Sequence, residues 1–319
     1  MGKLIPMGES FSWWQSGQGG NPFQGKPVVL TIGNFDGVHL GHQQLLAQNR
    51  ELAVKLGAAS VLMTFEPHPA AVLFPDKGHW RLFDREDQKN ILQQQGFHGV
   101  YVQSFTRDFS ELSPEAFMQK YFLQEFQCRG LVIGHDFSFG RDRQGKANDL
   151  RQFCHQQQIE FRQVEAFRLE GDVVSTSRVR KYLLEGDPEN AGRLLGRPYF
   201  LRGVIIKGDQ RGRLLGFPTA NLKATVEFYP RLGVYQTEAL LDGVTYPSIT
   251  NVGTNRTFKE GDLQPVKIET HLLDFSADIY GKKLQVNFLK YLRPEKKFNS
   301  FEELKNQIEK DVQEVRLAK

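Results

Sequence analysis

The chain has 319 residues, more than a single hydrophobic core usually organises, so two domains are expected. Its composition, 39% hydrophobic and 24% charged, is that of a globular protein, and the small net charge of +4 argues against a nucleic-acid-binding surface. The two distant cysteines, Cys128 and Cys154, argue against a disulfide framework or a cysteine zinc site and favour a cytoplasmic protein. Neither a signal peptide nor an apolar run of membrane length is recognisable, so no membrane partner is expected.

Strand and helix signals alternate through the first half of the chain. Residues 1–25 are predicted to form a flexible lead-in, with Trp13 and Trp14 packing on the domain surface. Short apolar runs predict buried strands, and periodic apolar spacing predicts helices. The predicted strands are 28–32, 60–65, 100–103, 131–133 and 160–164, and the predicted helices are 45–56, 84–95 and one that begins after Ser113. This alternation implies a parallel sheet with right-handed crossovers.

The pattern changes near Gly196. A helical stretch at 177–195, with a second cap signal at Asp187 and Pro188, is followed by closely spaced strand candidates. These candidates are 203–206, 234–241, 248–252, 266–273 and 284–292, and an amphipathic helix at 301–315 closes the chain. The close spacing predicts an antiparallel barrel or sandwich. We therefore expect an α/β domain at 26–190 and a β domain with a C-terminal helix at 197–319.

The loop between the first predicted strand and the first helix is a candidate phosphate site, because open α/β sheets bind ligands at this position. Its sequence at residues 33–42 is GNFDGVHLGH. Glycines let the backbone approach phosphates, and a helix N-terminus offers N–H groups and a positive dipole end. His39 and His42 share one face of the helix start and could donate hydrogen bonds to a triphosphate. Histidines three apart also occur on surface helices without a role, and the loop is neither a Rossmann fingerprint nor a P-loop.

Four segments of the first half carry a family resemblance. The HxGH element resembles that of the nucleotidylyltransferase superfamily, and the whole loop is similar to bacterial bifunctional riboflavin kinase/FAD synthetases. The further segments are TFEPHP at 64–69, GHDFSFG at 134–140 and VSTSRVR at 174–180, in the order of the family. The resemblance implies a Rossmann-like nucleotidylyltransferase sheet that transfers AMP from ATP to FMN. It weakens around residues 85–89, and no role is carried onto them.

The resemblance also implies which residues act in the first domain. ATP-binding residues are Gly33, Asn34, Phe35, Asp36, Gly37, His39, His42, Ser175, Ser177 and Arg180, of which His39, His42 and Arg180 are catalytic. Flavin-binding residues are Phe65, His68, Pro69, Asp136 and Phe137. The residues alone leave alternatives open. Of Phe137 and Phe139, one can pack in the core while the other stacks on a flavin, and Asp136 either caps its loop or holds a polar edge of the flavin.

A second candidate site lies at residues 207–221. Glycines at 208, 212 and 216 mark a loop able to fold over phosphates, and Thr219 and Asn221 face the same way in an extended segment. A hydroxyl and an amide oxygen suit Mg²⁺, although both residues are also common in turns. The segment resembles the riboflavin kinase motif that ends in LGFPTAN. By this resemblance ATP binds Lys207, Gly208, Gly212, Gly216, Phe217, Pro218, Thr219 and Asn221, and Mg²⁺ binds Thr219 and Asn221.

Glu269 opens an otherwise apolar strand, where a carboxylate is costly unless it is paired or used. Without the resemblance, the expected role of Glu269 is a residue at a strand edge that pairs with Lys267 or Arg293. The segments around it resemble the riboflavin kinase barrel, and the resemblance makes Glu269 the base that takes the proton of the ribityl hydroxyl. One departure is Arg256, which replaces a proline of the family pattern.

The resemblance therefore implies two ATP-dependent reactions, riboflavin to FMN on the second domain and FMN to FAD on the first, with flavins as substrates and products. Two alternatives stay open. One is a pantetheine-phosphate or choline-phosphate transferase fused to a β-barrel, and the other is a flavin-binding regulator whose catalysis has decayed. The sequence leaves the oligomeric state open.

Overall fold

The computed structural model describes residues 11–77, 81–208, 212, 216–226, 228–254 and 266–317. The chain divides into two compact units by its internal contacts. The first contains described residues 11–77 and 85–174, and the second contains residues 81–84 and those from 175 onward. The assignment of two catalytic domains at 26–190 and 197–319 stays a prediction, because compactness alone does not assign chemistry.

The first unit is built on a six-stranded sheet in the order β1-β4-β3-β2-β5-β6. All five strand pairs in it are parallel. The strands are β1 Ser12–Gln15, β2 Val28–Ile32, β3 Ala59–Glu66, β4 Gly99–Ser104, β5 Cys128–Gly134 and β6 Glu160–Val164. The helices are α1 Leu40–Leu56, α2 Pro69–Leu73, α3 Arg85–Gln93, α4 Arg107–Ser110, α5 Pro114–Met118, a π-helix at Gln119–Glu125, and α6 Ala147–Gln156. The predicted α/β class and its five strands are confirmed.

Burial follows the apolar pattern of the central strands. Every residue of β2 is buried, and its side chains join one core with those of β3 and β5. Asn49 interrupts the apolar spacing of α1, yet its side chain is fully buried. Its Nδ2 donates to the carbonyl oxygen of Val29 at 3.0 Å, so this polar side chain links α1 to β2.

The lead-in prediction is wrong for β1, which is the edge strand of the sheet. Ser12–Gln15 pairs in parallel with residues 99–102 of β4. The indole of Trp14 packs 5.5 Å from the ring of Phe23 and 5.6 Å from that of Tyr101, as ring centroids, against the core of the unit. Local composition could not show this strand, because its partner lies more than eighty residues along the chain.

The second unit is a closed antiparallel barrel in the order β10-β13-β12-β11-β14-β9. Its strands are β9 Tyr199–Ile206, β10 Ala220–Ala224, β11 Gly233–Leu241, β12 Val244–Thr254, β13 Val266–Leu272 and β14 Lys283–Arg293, and β7 Arg168–Leu169 with β8 Asp172–Val173 is a separate hairpin of the first unit. The predicted β domain is thus a barrel. Residues 220–224 were not predicted as a strand, because a stretch of five residues beside a proline and a threonine has little apolar signal.

Among the described residues of the second unit, three helices accompany the barrel, α7 Thr176–Glu185, α8 Pro188–Leu195 and α9 Phe301–Leu317. The helical stretch predicted at 177–195 is two helices, because Gly186 adopts the left-handed conformation that ends α7 and Asp187 caps α8. Val315 of α9 packs against the barrel, and Asp311 accepts a bidentate hydrogen bond from Arg293, with Nη2 to Oδ2 at 2.7 Å. Within the described ranges no helix combines the length and the apolar character that a membrane span requires.

Candidate active sites

The β2–α1 loop lies where the order of the sheet reverses. Strand β2 stands between β3 and β5, so the chain leaves it at the topological switch point of the sheet, where open α/β folds bind ligands. Phe35, Gly37 and Val38 all have positive φ, at 50°, 82° and 45°. This conformation is costly for a β-branched residue, and it persists here because the Phe35 and Val38 side chains are completely buried. The packing of the loop therefore fixes a strained, preformed backbone.

Gln88 of α3 holds this loop, a role that sequence reasoning missed. Its Nε2 donates to the carbonyl oxygens of Asn34 at 2.9 Å and Phe35 at 3.2 Å, and the hydroxyl of Thr64 donates to the Asn34 carbonyl at 3.2 Å. Gln88 shares the buried face of α3 with Leu92, one turn further on. A polar residue at such an apolar position was the signal available in the sequence.

His39 and His42 are brought together as predicted. His39 caps α1, and its Nδ1 accepts the backbone N–H of His42 at 3.2 Å. The proton of a neutral His39 therefore sits on Nε2. The two rings stack with centroids 3.7 Å apart. A Cβ on Gly41 would lie 3.3 Å from the His39 ring, so the glycine makes room for it.

The His42 imidazole is neutral near pH 7. Burial lowers its pKa well below the usual value, and the nearby His39 lowers that pKa further. Its Nδ1 is buried and has no hydrogen-bond partner among the described residues. Two stacked imidazoles, of which His39 presents its N–H on Nε2, form a set of donors suited to an anion that enters the site.

The predicted flavin residues lie at the ends of β3 and β5. Phe65 packs in an aromatic group with Phe105 and Phe109, at centroid distances of 5.7 and 5.8 Å. His68 caps α2, with Nδ1 accepting the N–H of Ala70 at 3.2 Å, and Pro69 is the first residue of that helix. These contacts give His68 and Pro69 a local structural role beside the predicted one.

The segment after β5 separates its two phenylalanines. Phe139 is buried in the core, whereas Phe137 is half-buried and stacks on it at 5.8 Å. The structure therefore separates a core phenylalanine from a half-buried one, and the flavin-stacking role of Phe137 stays a prediction. The side chain of Asp136 is 81% exposed.

The remaining predicted residues of the first site lie on α7. Ser175 caps this helix, with its hydroxyl accepting the N–H of Arg178 at 3.3 Å, while Ser177 is exposed and Arg180 is half-buried. By its contacts this helix belongs to the second unit. The ATP-binding role of these three residues stays a prediction.

In the barrel, Asn221 and Glu269 lie directly opposite each other on β10 and β13. Their neighbours Ala220, Leu222 and Thr270 are buried, so the Asn221 and Glu269 side chains lie together on the outer face. Asn221 and Glu269 are thus brought together, although 48 positions separate them in the sequence. Arg293, one of the two partners considered for Glu269, forms its ion pair with Asp311.

Backbone glycines approach this face closely. A Cβ on Gly208 would lie 2.5 Å from Asn221 Oδ1, so the backbone of Gly208, just after β9, rests directly on the Asn221 amide. A Cβ on Gly212 would lie 3.5 Å from Cγ2 of Thr219 and would clash with the Phe217 carbonyl. Lys207 is exposed beside Gly208, and Gly216 has a φ of 85°. Position 256, where an arginine replaces the proline of the family pattern, lies outside the described residues.

A cavity of about 460 Å³ opens beside this face, and sequence reasoning did not find it. It is lined by residues 216–218, by residues 271–276 at the end of β13, and by Val312 and Arg316 of α9. His271 lies on the same face of β13 as Glu269, about 7 Å along the strand. Its Nδ1 donates to the Pro218 carbonyl at 2.8 Å, and burial lowers its pKa. No group of three histidine, cysteine or acidic side chains capable of holding a metal occurs in the described part of the chain.

Comparison with known proteins gives a consistent assignment. Residues 22–178 match the FAD synthetase family model, and residues 195–318 match the riboflavin kinase model. Proteins named bifunctional riboflavin kinase/FMN adenylyltransferase are 38% identical in Listeria monocytogenes and 37% in Bacillus subtilis, each over 90% of this chain and 91% of the relative. A solved structure titled macrolide-efflux protein from Streptococcus pneumoniae superposes with a TM-score of 0.84 at 30% identity, covering 93% of this chain and 95% of that one. The chain belongs to the family of bifunctional riboflavin kinase/FMN adenylyltransferases.

Proposed function

We propose that this chain converts riboflavin and ATP to FMN and ADP on the barrel, and FMN and ATP to FAD and pyrophosphate on the α/β unit. The observation that carries the proposal is that one chain holds both constellations, the stacked His39 and His42 at a sheet switch point and Glu269 opposite Asn221 on a barrel. The second constellation disfavours a transferase for another phosphate acceptor, and both together disfavour a flavin-binding regulator. Two buried, unpaired cysteines support a cytoplasmic location.

The adenylyl transfer needs positioning and charge stabilisation rather than a covalent intermediate. A phosphate oxygen of FMN attacks the α-phosphorus of ATP, and the bond to the bridging oxygen of pyrophosphate breaks. His39 Nε2–H and the neutral His42 donate hydrogen bonds to the negative charge, beside the N-terminus of α1. Arg180 is assigned to the phosphates by the resemblance, since its planar fork fits phosphate oxygens.

The kinase step uses the outer face of the barrel. Glu269 takes the proton of the ribityl 5′-hydroxyl while the oxygen of that hydroxyl attacks the γ-phosphorus of ATP, and ADP leaves. Gly208 rests on Asn221, so its backbone lies next to the same face. We place the flavin ring in the 460 Å³ cavity, which begins at His271, about 7 Å along the strand from Glu269. A five-carbon ribityl chain spans a similar distance.

Mg²⁺ fits the residues at this site. The Thr219 hydroxyl and the Asn221 amide oxygen are neutral oxygen ligands, which leave the ion's remaining positions for phosphate oxygens and water. When bound, the ion neutralises phosphate charge. The close packing of Gly208 on Asn221 holds that amide in place.

The two sites can be tested separately in the intact chain. With riboflavin, ATP and Mg²⁺ supplied and flavins separated by chromatography, Glu269→Ala is expected to stop FMN formation and to leave the conversion of FMN to FAD intact. His42→Ala is expected to do the reverse. The proposal fails if the wild-type chain forms neither FMN nor FAD. Loss of both activities in either folded variant contradicts independent sites.

A further inference from the structure

The row formed by Asn221 and Glu269 has a third member on the next strand. In the barrel β13 lies between β10 and β12, and Glu269 is in register with Asn221 on one side and Asn251 on the other. Asn251 stands between the buried Thr250 and Val252, so its side chain shares the outer face with Glu269. Directly opposed residues of an antiparallel pair place their Cβ atoms about 5 Å apart, within reach of each other's polar groups.

A second carboxylate holds the far side of Asn251. Nδ2 of Asn251 donates to Oε1 of Glu295, which lies two residues beyond the end of β14, at 3.4 Å. Glu295 is half-buried, and its carboxylate lies against the backbone of Gly253, where a Cβ would meet Glu295 Cδ at 2.8 Å. Glycine at position 253 therefore makes room for the Glu295 carboxylate to reach Asn251.

We propose that Glu295 is a positioning residue for the kinase, which fixes the amide of Asn251 and through it holds the Glu269 carboxylate in place for proton transfer. An amide nitrogen has two N–H groups, so one can bind Glu295 while the other faces Glu269. A general base must lie within hydrogen-bond reach of the proton it takes, and a carboxylate on an outer barrel face has several rotamers. The inference rests on the proposed kinase function.

Because Glu295 is proposed to act by positioning, its replacement should change kcat for FMN formation more than KM. Glu295→Ala removes the acceptor for Asn251, and we expect kcat for FMN formation to fall about tenfold, as for other residues that orient a reacting group. KM for riboflavin and for ATP should change less than about twofold, because neither substrate loses a contact. Glu295→Gln keeps an oxygen acceptor and should restore kcat to within about twofold of wild type.

The measurement is steady-state FMN formation by the full chain, with FMN-to-FAD conversion in the same preparation as the control for folding. Glu302→Ala is the matched control, since Glu302 is an exposed carboxylate in the first turn of α9. It should behave as wild type. Gly253→Ala displaces the Glu295 carboxylate without removing it and should reproduce the loss of kcat.

The outcomes separate this inference from the proposed function. If the wild-type chain makes no FMN, the proposed kinase function is itself refuted. If the wild-type chain makes FMN and Glu295→Ala has the same kcat as Glu302→Ala, the positioning role of Glu295 is refuted. A rise in KM at constant kcat also overturns it, because Glu295 would then bind substrate. If Glu295→Ala does not fold, Glu295→Gln decides, and a tenfold loss of kcat in that variant contradicts a role that needs only an oxygen acceptor.

Discussion

Gly208→Ala is expected to disable FMN formation by moving Asn221. The added Cβ would lie 2.5 Å from Asn221 Oδ1, whereas real Cβ atoms keep at least 3.0 Å from their neighbours. The loop or the amide must therefore shift by about 0.5 Å or more, which equals the tolerance of a preorganised site. Displacements of about 1 Å cost roughly 10²-fold in rate, so we expect kcat for FMN formation to fall at least about tenfold.

The assay follows FMN and FAD by chromatography after incubation with riboflavin, ATP and Mg²⁺. FMN-to-FAD conversion by the same chain should stay at the wild-type rate, which shows that the protein is folded. Gly20→Ala is the control, since a Cβ there meets no atom within 4 Å and the backbone is not left-handed. If the Gly208→Ala chain forms FMN within about twofold of the wild-type rate, the reasoning that Gly208 packs closely on Asn221 is refuted.

Two further predictions concern the first unit. Because burial lowers the pKa of His42, the folded state binds fewer protons than the unfolded state below pH about 6.5, so stability should fall as pH falls from 7 to 5. Thermal unfolding should show a smaller loss for His42→Gln over that range, and an equal loss contradicts the buried neutral imidazole. Gln88→Leu leaves the carbonyls of Asn34 and Phe35 without this donor and should cost about 1–3 kcal/mol in urea unfolding, with FAD formation reduced and FMN formation kept. Unchanged FAD formation would show that the loop holds its shape alone.

Local sequence patterns predicted most of the elements. The predicted bounds of β2 and β6 match the structure to the residue, and β2 was recognisable because its apolar run is nearly continuous with clear ends. Asp187 and Pro188 gave the cap signal at which α8 begins, since a cap depends on residues only three or four apart. Strand β10 was not predicted, because five residues with two buried side chains give too short a pattern.

The candidate sites divide in the same way. The spacing of three at a helix start predicted that His39 and His42 share one face, and the structure adds that their rings stack. The cavity that runs from residue 216 to α9 involves three separate segments, and no local spacing contains it. The hydrogen bond from Gln88 to the β2–α1 loop likewise joins residues more than fifty positions apart.

The sequence by itself determined the two classes of unit, the histidine pair at the head of α1, and the presence of Glu269 in an apolar strand. Tertiary structure alone decided that Ser12–Gln15 closes the sheet edge and that Asn221, Glu269 and Asn251 form one row. The physical reason is register. Helix spacing is fixed by the chain itself, whereas the residue that faces a strand residue is chosen by pairing and burial between distant segments, and a slip of one position would turn every side chain to the other face.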